Sequence, residues 1–491
     1  MPTVIVTERA KDWPFQLPNV EVVDGWTYLT NPDFAARKNL RLINLCKSYK
    51  YQSLGYYVSL LAEARGHRPS PSIITLQDLK SPAMVRLVSD DLEDVIQESL
   101  QPLQSDSFIL SVYFGRNMAK RYERLSRHLF NQFHVPLMRF RFGRDEGTWS
   151  LRGVKAVSTG DVPDSHWPFI LDAAAKHCSG QSVSRTRKVQ TRYDMAILWD
   201  PDEGDNSPSD LETLKKFIKI GEKLGLAVEL ITPDDYGRLS EFDALFIRQT
   251  TAVNHSTYRF SRRAAGEGLV VMDDPESIAR CSNKVYLAEL LQRHKVPIPK
   301  TIVVHRDNAS GLGAALGFPI VIKKPDSAFS VGVVKAENEE ELQERLTRFF
   351  ADSELVVAQE FLPTDFDWRI GIIDQRPLFA CKYYMAPKHW QIIKHDGPPR
   401  GKYGKWETVP VEMAPRKAVS VALKAANLIG NGLYGVDVKE SGGKFTVIEV
   451  NDNPNIDSGV EDQVLRDELY RRILEVFLRR IEERKARVHF D

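Results

Sequence analysis

The 491-residue chain reads as an α/β protein: open sheets covered by helices come first, and strands joined by tight turns come last. Three observations predict this. Short apolar strands alternate with amphipathic helices over about 1–150 and again over 193–274, the pattern of parallel sheets. Two hairpins stand near the end, DWRIGIID with PLFACKYYM (367–385) and LYGVDVK with KFTVIEVN (433–451). Both are rich in the Val, Ile, Phe and Tyr that suit a sheet.

Length and composition set the frame. This many residues corresponds to about three domains, each able to bury its own core. The net charge is +1 with an ordinary apolar fraction of 42%, so neither disorder nor a strongly basic binder is indicated. Cys46, Cys178, Cys281 and Cys381 stand alone, and signal neither a zinc site nor a disulfide framework. The N-terminus lacks an apolar secretory core, and no window reaches membrane-span length. A reducing cytoplasm fits, and no membrane partner is expected. The expected boundaries are 1–185 for an N-terminal α/β domain and linker, 190–275 for a second α/β domain, and 276–485 for the C-terminal domain.

In the first of these, TVIVTE (3–8), VEVVDGWTYL (20–29) and RLINLC (41–46) are strands. Helices are expected over 52–66, 82–100 and 117–133, with Leu54, Val58, Leu61 and Ala62 on one face of the first. SFILSVYFG (107–115) is a further strand, and the strand–helix–strand order suggests parallel pairing. Eight Lys/Arg lie between Arg116 and Arg144. Nucleic acid is the sharp reading of this run; a solvated helix face is the plainer one, and neutral overall charge favours it. Arg139-Phe140-Arg141-Phe142 alternates strictly, which puts two arginines on one face of a strand and suits an anion or an inter-domain contact. A Ser/Lys/Arg-rich linker covers about 175–192.

In the second, YDMAILWDP (193–201), LAVELITPD (226–234), FDALFIRQTT (242–251) and LVVMDD (269–274) are strands of an open parallel sheet, with a helix over 210–225. Ligands bind beyond the carboxyl ends of such strands. Arg248 stands at that edge as a candidate for a substrate carboxylate, with pairing to a local acid as the equal alternative. No strand leads into G-x-G-x-x-G, so a nicotinamide-binding reading is unsupported.

The C-terminal half carries the chemistry. Asp437 lies between two valines and Glu449 between Ile448 and Val450. A carboxylate within an apolar strand is costly unless it is paired or binds a metal. With a three-residue turn around Gly443 the two face each other across the hairpin, and Asn451 shares the face of Glu449. Two carboxylates and an amide oxygen suit Mg²⁺ completed by phosphate oxygens. The plainer alternative is a hairpin whose acids pair with lysines. Upstream, FPIVIKKP (318–325) delivers Lys323 at a strand end. A small polar loop with Ser327, Ser330 and Gly332 follows; its backbone amides can cover phosphates. Lys284, Lys323 and Arg369 supply the cations that phosphate needs. A charged helix over about 462–486 has Leu465, Leu469, Ile473, Val476, Phe477 and Ile481 at helical spacing, for packing on its own domain or, alternatively, for a homo-oligomer contact.

Taken in order, these motifs resemble the ATP-grasp superfamily and, within it, the RimK-like carboxylate–amine ligases, over about 193–480. The first 150 or so residues resemble the extra domain found at the N-terminus of some RimK-like proteins. The resemblance implies an ATP-grasp fold: an open parallel-sheet leading domain plus two α+β nucleotide-binding subdomains, here with an extra N-terminal α/β domain. CSNKVYLAELLQRHKVPIPKT (281–301) corresponds to the segment whose lysine, Lys284, contacts nucleotide phosphate. FPIVIKKP supplies Lys323. QEFLP (359–363) is similar to the hinge at the adenine, which makes Gln359, Glu360 and Phe361 nucleotide contacts along with Ser327, Ser330 and Gly332 of the loop. DWRIGII carries Arg369, which with Lys323 is implied as catalytic. GVDV and VIEVN match the metal ligands Asp437, Glu449 and Asn451, for two Mg²⁺ or Mn²⁺ with ATP. Two departures bear on substrate identity. The phosphate loop has one glycine where many relatives have several, and WQIIKHDGPPRGKYGKWETVPV (390–411) lacks the family's Arg/Asn pattern. Lys394, Lys402 and Lys405 replace some of that charge, and Lys402 and Lys405 join Arg248 as substrate candidates.

The implied activity is an ATP-dependent ligase that forms an amide or peptide bond through an acyl phosphate and releases ADP. It would add an amino acid such as glutamate to a small molecule or peptide; small-molecule or peptide carboxylates and amines are its partners. A glutathione-synthetase-like ligase and a non-catalytic ATP-binding regulator are the alternatives. An RNA-binding protein would instead show salt-dependent RNA affinity.

Overall fold

The computed structural model describes residues 2–13, 15–37, 40–178, 191–326, 332–387, 389–392 and 404–487. It resolves into two compact units: 1–190 with 231–243 and 485–491, and 191–230 with 244–484.

The first unit contains a four-stranded parallel sheet in the order Val20–Asp24, Thr3–Thr7, Arg41–Asn44, Arg68–Ser70. The second strand is shorter than its sequence suggests. The Asp24 side chain accepts the Thr27 backbone N–H at 3.0 Å and starts the helix Gly25–Thr30. A capping carboxylate has overridden the apolar run. The expected 82–100 helix is two, Pro82–Asp91 and Glu93–Leu100. Parallel pairing does not extend through the unit. Ser107–Tyr113, Leu137–Asp145 and Thr148–Ala156 form an antiparallel sheet. The helix Glu123–Phe133 lies between its first two strands, and a helical connection does not by itself make its flanking strands parallel. The Arg-Phe alternation holds: Phe140 and Phe142 are buried, while Arg139 donates to the Asp161 carbonyl at 2.9 Å.

The second unit has three sheets. The leading one is ordered Val270–Met272, Ala244–Ile247, Tyr193–Leu198, Leu226–Ile231, and the first three strands are parallel. An antiparallel sheet follows, in the order Thr301–Val304, Val356–Glu360, Ile320–Lys323, Val333–Ala336. The third sheet runs Trp406–Val409, Arg376–Tyr384, Phe366–Ile373, Leu433–Ser441, Lys444–Asn451, all antiparallel. The helix Arg416–Ile429 is buried on this last sheet through Ala418, Ala422, Ala425 and Ile429, which meet Ile370, Val436 and Val450. Alanine at these positions lets helix and sheet approach closely. The C-terminal helix, Asp467–Arg487, buries Leu469, Ile473, Phe477 and Ile481 against Met195 and Phe246 of the leading sheet, so its apolar face packs within its own chain. Among the described residues no helix is long and apolar enough to cross a membrane.

The 433–451 hairpin differs from expectation in an instructive way. Its turn has two residues, Gly442 and Gly443, both at positive φ (57° and 74°). That conformation matches the twist of the strands and favours glycine. A two-residue turn alone would set Asp437 opposite Ile448. A bulge at Ile448, across from the Asp437–Val438 step, adds one residue and restores Asp437 opposite Glu449. The turn of the other hairpin, Asp374-Gln375, falls one residue earlier than expected.

Candidate functional site

A cleft of about 830 Å³, part of it open to solvent, lies between the two antiparallel sheets of the second unit. Each sheet places its charged residues at the cleft by strand alternation. Lys323 is the last residue of Ile320–Lys323. Gln359 and Glu360 end Val356–Glu360. Asp437 and Glu449 face each other on the hairpin. Lys284 begins the helix Lys284–Arg293, whose N-cap Asn283 accepts from Val285 and Tyr286.

The cations and anions of this wall are already matched. Arg369 holds Asp437 with two bonds, Nε to Oδ1 at 2.7 Å and an Nη to Oδ2 at 2.8 Å. Lys284 Nζ lies 3.1 Å from Glu449 Oε1. Burial works against the Arg369 charge, but Asp437 outweighs it and keeps the guanidinium firmly protonated. Burial likewise works against ionised Glu449, but Lys284 and Lys323 outweigh it and hold the carboxyl below its ordinary range. Lys323 goes the other way. It is 8% exposed, and burial, with the repulsion of Lys284, brings it from 10.5 down to about 8 despite the attraction of Glu449.

The other sequence candidates are distributed as follows. Gln359 donates to Thr301 Oγ1 at 2.9 Å. Glu360 accepts the Lys300 N–H at 2.7 Å, which leaves the run Gln359–Leu362 along the cleft. Phe361 meets Trp390 edge-on, with centroids 5.9 Å apart. Gly332 sits at φ 79° and its carbonyl accepts Lys324 N–H at 2.9 Å; Ser327, Ser330, Lys394 and Lys402 lie outside the described residues. Asn451 is opposite Gly435, and its amide donates to the Gly435 carbonyl at 3.3 Å. Lys405 is exposed and does not line the cleft.

Arg248 stands at the carboxyl edge of the leading sheet, as expected, but it is wholly buried there. Its guanidinium donates to Ser209 Oγ, Asn453 Oδ1 and the Pro208 and Pro454 carbonyls. It ties two loops together, and these bonds occupy the fork expected to meet a substrate carboxylate.

Three cleft residues went unnoticed in the sequence. Lys439 Nζ reaches Asp367 at 2.6 Å and Thr364 Oγ1 at 2.7 Å. Burial raises the Asp367 carboxyl even though Lys439 opposes the rise. Both positions are readable by alternation: Lys439 is two residues beyond Asp437, and Asp367 two before Arg369, on the same strand faces. Trp390 also lines the cleft. With Phe361 it brackets Lys335, whose Nζ is 4.7 Å from the Phe361 centroid and 5.7 Å from that of Trp390. No strand pattern announces it.

The site can therefore hold a polyanion with an aromatic-flanked base. Lys284, Lys323 and Lys439 line the cleft together with Phe361 and Trp390, and Arg369 adjoins it through Asp437. The donor chemistry fits a hard divalent ion: two carboxylates in register plus the Asn451 amide. Among the described residues no three His, Cys, Asp or Glu converge.

Comparison with protein-family models finds the RimK-like ATP-grasp domain over residues 281–467 and the RimK-like ATP-grasp N-terminal domain over 26–173. The chain is a RimK-like ATP-grasp protein. Proteins of this kind are ATP-dependent carboxylate–amine ligases. Among its relatives is the alpha-aminoadipate–LysW ligase LysX of Saccharolobus solfataricus, 29% identical over 256 residues, covering 49% of this chain and 88% of the relative. A probable alpha-L-glutamate ligase of Rhodopirellula baltica is 24% identical over 304 residues, covering 60% of this chain and 68% of the relative. Among solved structures, a D-alanine–D-alanine ligase from Bacillus anthracis complexed with ATP aligns with a TM-score of 0.48 and 18% identity, over 60% of this chain and 99% of that one.

Proposed function

We propose that this RimK-like protein uses ATP to activate a substrate carboxylate as an acyl phosphate and joins it to an amine, and that the acid or the amine it handles is an acidic amino acid. The observation that supports this most is the Asp437–Glu449 pair, set in register by a bulge, with Lys284, Lys323 and Lys439 in the same cleft and Arg369 held on Asp437.

In this reading the adenine lies between the Gln359–Leu362 hinge, Phe361 and Trp390. Lys284 and Lys323 meet the phosphates, and Arg369 stabilises charge on the transferring phosphoryl group. Asp437, Glu449 and Asn451 hold Mg²⁺, which when bound lowers the repulsion between γ-phosphate and carboxylate. Nucleotide phosphate competes for Lys284 and Arg369, and so frees the two carboxylates. The residues from 276 to 485 act as the ATP-grasp domain; the domain at the N-terminus stays without an assigned role.

Glutamate is the first acid to try, because the relatives' names specify glutamate and α-aminoadipate, both dicarboxylic amino acids. The test is ADP release with Mg²⁺-ATP against single amino acids, pairs of them, and dicarboxylates. ADP release that needs an acidic amino acid supports the reading. ATP binding with no release on any member, peptides included, would favour a nucleotide-binding regulator.

A further inference from the structure

The carboxyl edge of the leading sheet holds a group of oxygen acceptors that the nucleotide cleft does not use. Asp273 follows the strand Val270–Met272 and is 1% exposed. Among the described residues neither of its carboxylate oxygens has a hydrogen-bond partner. Asp452 follows the hairpin strand Lys444–Asn451, is 6% exposed, and keeps one oxygen without a partner. Gln249, 2% exposed, follows the strand Ala244–Ile247. Its amide nitrogen donates to Asp200 at 3.2 Å, which fixes the orientation of the amide and leaves Oε1 with no donor.

These groups belong together. The Asp452 charge bears on Asp273, and both bear on the buried Cys281 thiol. Asn453 ties the loop to the same edge, donating to the Gln249 carbonyl at 2.7 Å. The adjacent Asp274 is a contrast: it accepts from Glu276 N, Ser277 N and Ser277 Oγ and needs nothing more. Arg248 contributes charge near Asp273, but its guanidinium hydrogen bonds to Ser209, Asn453, Pro208 and Pro454 go to neutral oxygens. Two buried carboxylates with orphaned oxygens are costly unless a cation or a donor reaches them.

We propose that Asp273 and Asp452, with Gln249 Oε1, bind a hard divalent cation at the carboxyl edge of the leading sheet, separate from the ion assigned to the hairpin. The donors are all oxygen, which selects Mg²⁺, Mn²⁺ or Ca²⁺ over softer metals. Two carboxylates balance a double charge. Asp452 follows Asn451 directly, and successive side chains of an extended chain face opposite ways, so the two ions take opposite faces of one chain end. The ion clamps the loop after the hairpin to the leading sheet and thereby fixes Asn451.

The test is Mn²⁺ titration of the nucleotide-free full-length protein, followed by loss of the free-Mn²⁺ paramagnetic resonance signal. The hairpin carboxylates are paired with Arg369 and Lys284 in this state, so the expected ion is the one at Asp273. Wild type and Glu449→Gln should each bind one Mn²⁺ per chain. Asp273→Asn and Asp452→Asn should weaken it by about tenfold or more, and Mn²⁺ should raise the Tm of wild type but not of Asp273→Asn. If the Asn variants fail to fold, Gln249→Met removes one neutral ligand and should weaken binding at least about threefold. No Mn²⁺ bound without nucleotide, affinity unchanged in Asp273→Asn or Gln249→Met, or loss in Glu449→Gln instead would overturn the assignment.

Discussion

Lys323 gives the sharpest consequence of the cleft's electrostatics. Burial, with Lys284 beside it, holds its ammonium near 8 instead of 10.5. A phosphate group placed against it restores the charged form. At pH 8 a group with a pKa near 8 is half protonated, so nucleotide binding should draw about half a proton from solution. At about 1.4 kcal/mol per pH unit, full restoration couples nucleotide and proton by about 3 kcal/mol, or roughly 300-fold in affinity. Affinity should therefore fall about tenfold per pH unit above 8. Calorimetric titration of ATP in buffers of different ionisation enthalpy measures the uptake directly, and Lys323→Met supplies the blank. Stability of the nucleotide-free protein should move the opposite way. The folded pKa lies below the unfolded one, so the unfolded chain binds more protons between about 8 and 10.5, and stability should rise with pH across that window. An uptake at pH 8 that is unchanged in Lys323→Met would refute the reasoning.

Other consequences are more local. Glu449→Gln should remove most turnover while leaving the circular dichroism spectrum and Tm close to wild type; near-normal ATP-dependent turnover would sink the metal assignment. Trp390→Ala should weaken ATP binding by about 1 kcal/mol, the usual worth of an aromatic contact, with little change in kcat at saturating ATP; unaltered ATP affinity would remove Trp390 from the base site. Arg248→Met should cost about 3 kcal/mol or more of stability, since it abandons the buried carbonyls of Pro208 and Pro454. A variant that instead kept its stability and lost affinity only for the acid would return Arg248 to the substrate site.

What could be read in the sequence was what strand alternation and chain order encode. Lys323 at a strand end, Arg369 mid-strand and the Asp437–Glu449 pair follow from period-2 patterns in apolar runs, and all four come together in the second unit. The register was reached with the wrong turn. A three-residue loop and a two-residue loop with a bulge give the same pairing, and nothing in ESGGKF distinguishes them beyond two glycines able to adopt positive φ. The same alternation would have found Asp367 and Lys439 had it been carried two residues further. Trp390 and Asp273 were not readable that way, because irregular chain places them. Arg248 shows the reverse failure. Its position at the carboxyl edge was legible, but the partners of its guanidinium come from residues about 40 and 205 positions away in the chain, and only the fold supplies them. In the first unit, antiparallel pairing across the Glu123–Phe133 helix is not legible, because sequence order alone does not fix strand direction.

The account stands most directly on the activated acid. Mg²⁺-ATP and hydroxylamine, with each candidate carboxylate in turn and without any amine acceptor, should yield the hydroxamate of the activated acid and ADP in equal amounts with wild-type protein, and neither with Glu449→Gln. ADP release without hydroxamate for glutamate, α-aminoadipate and every other carboxylate tried would contradict activation through an acyl phosphate.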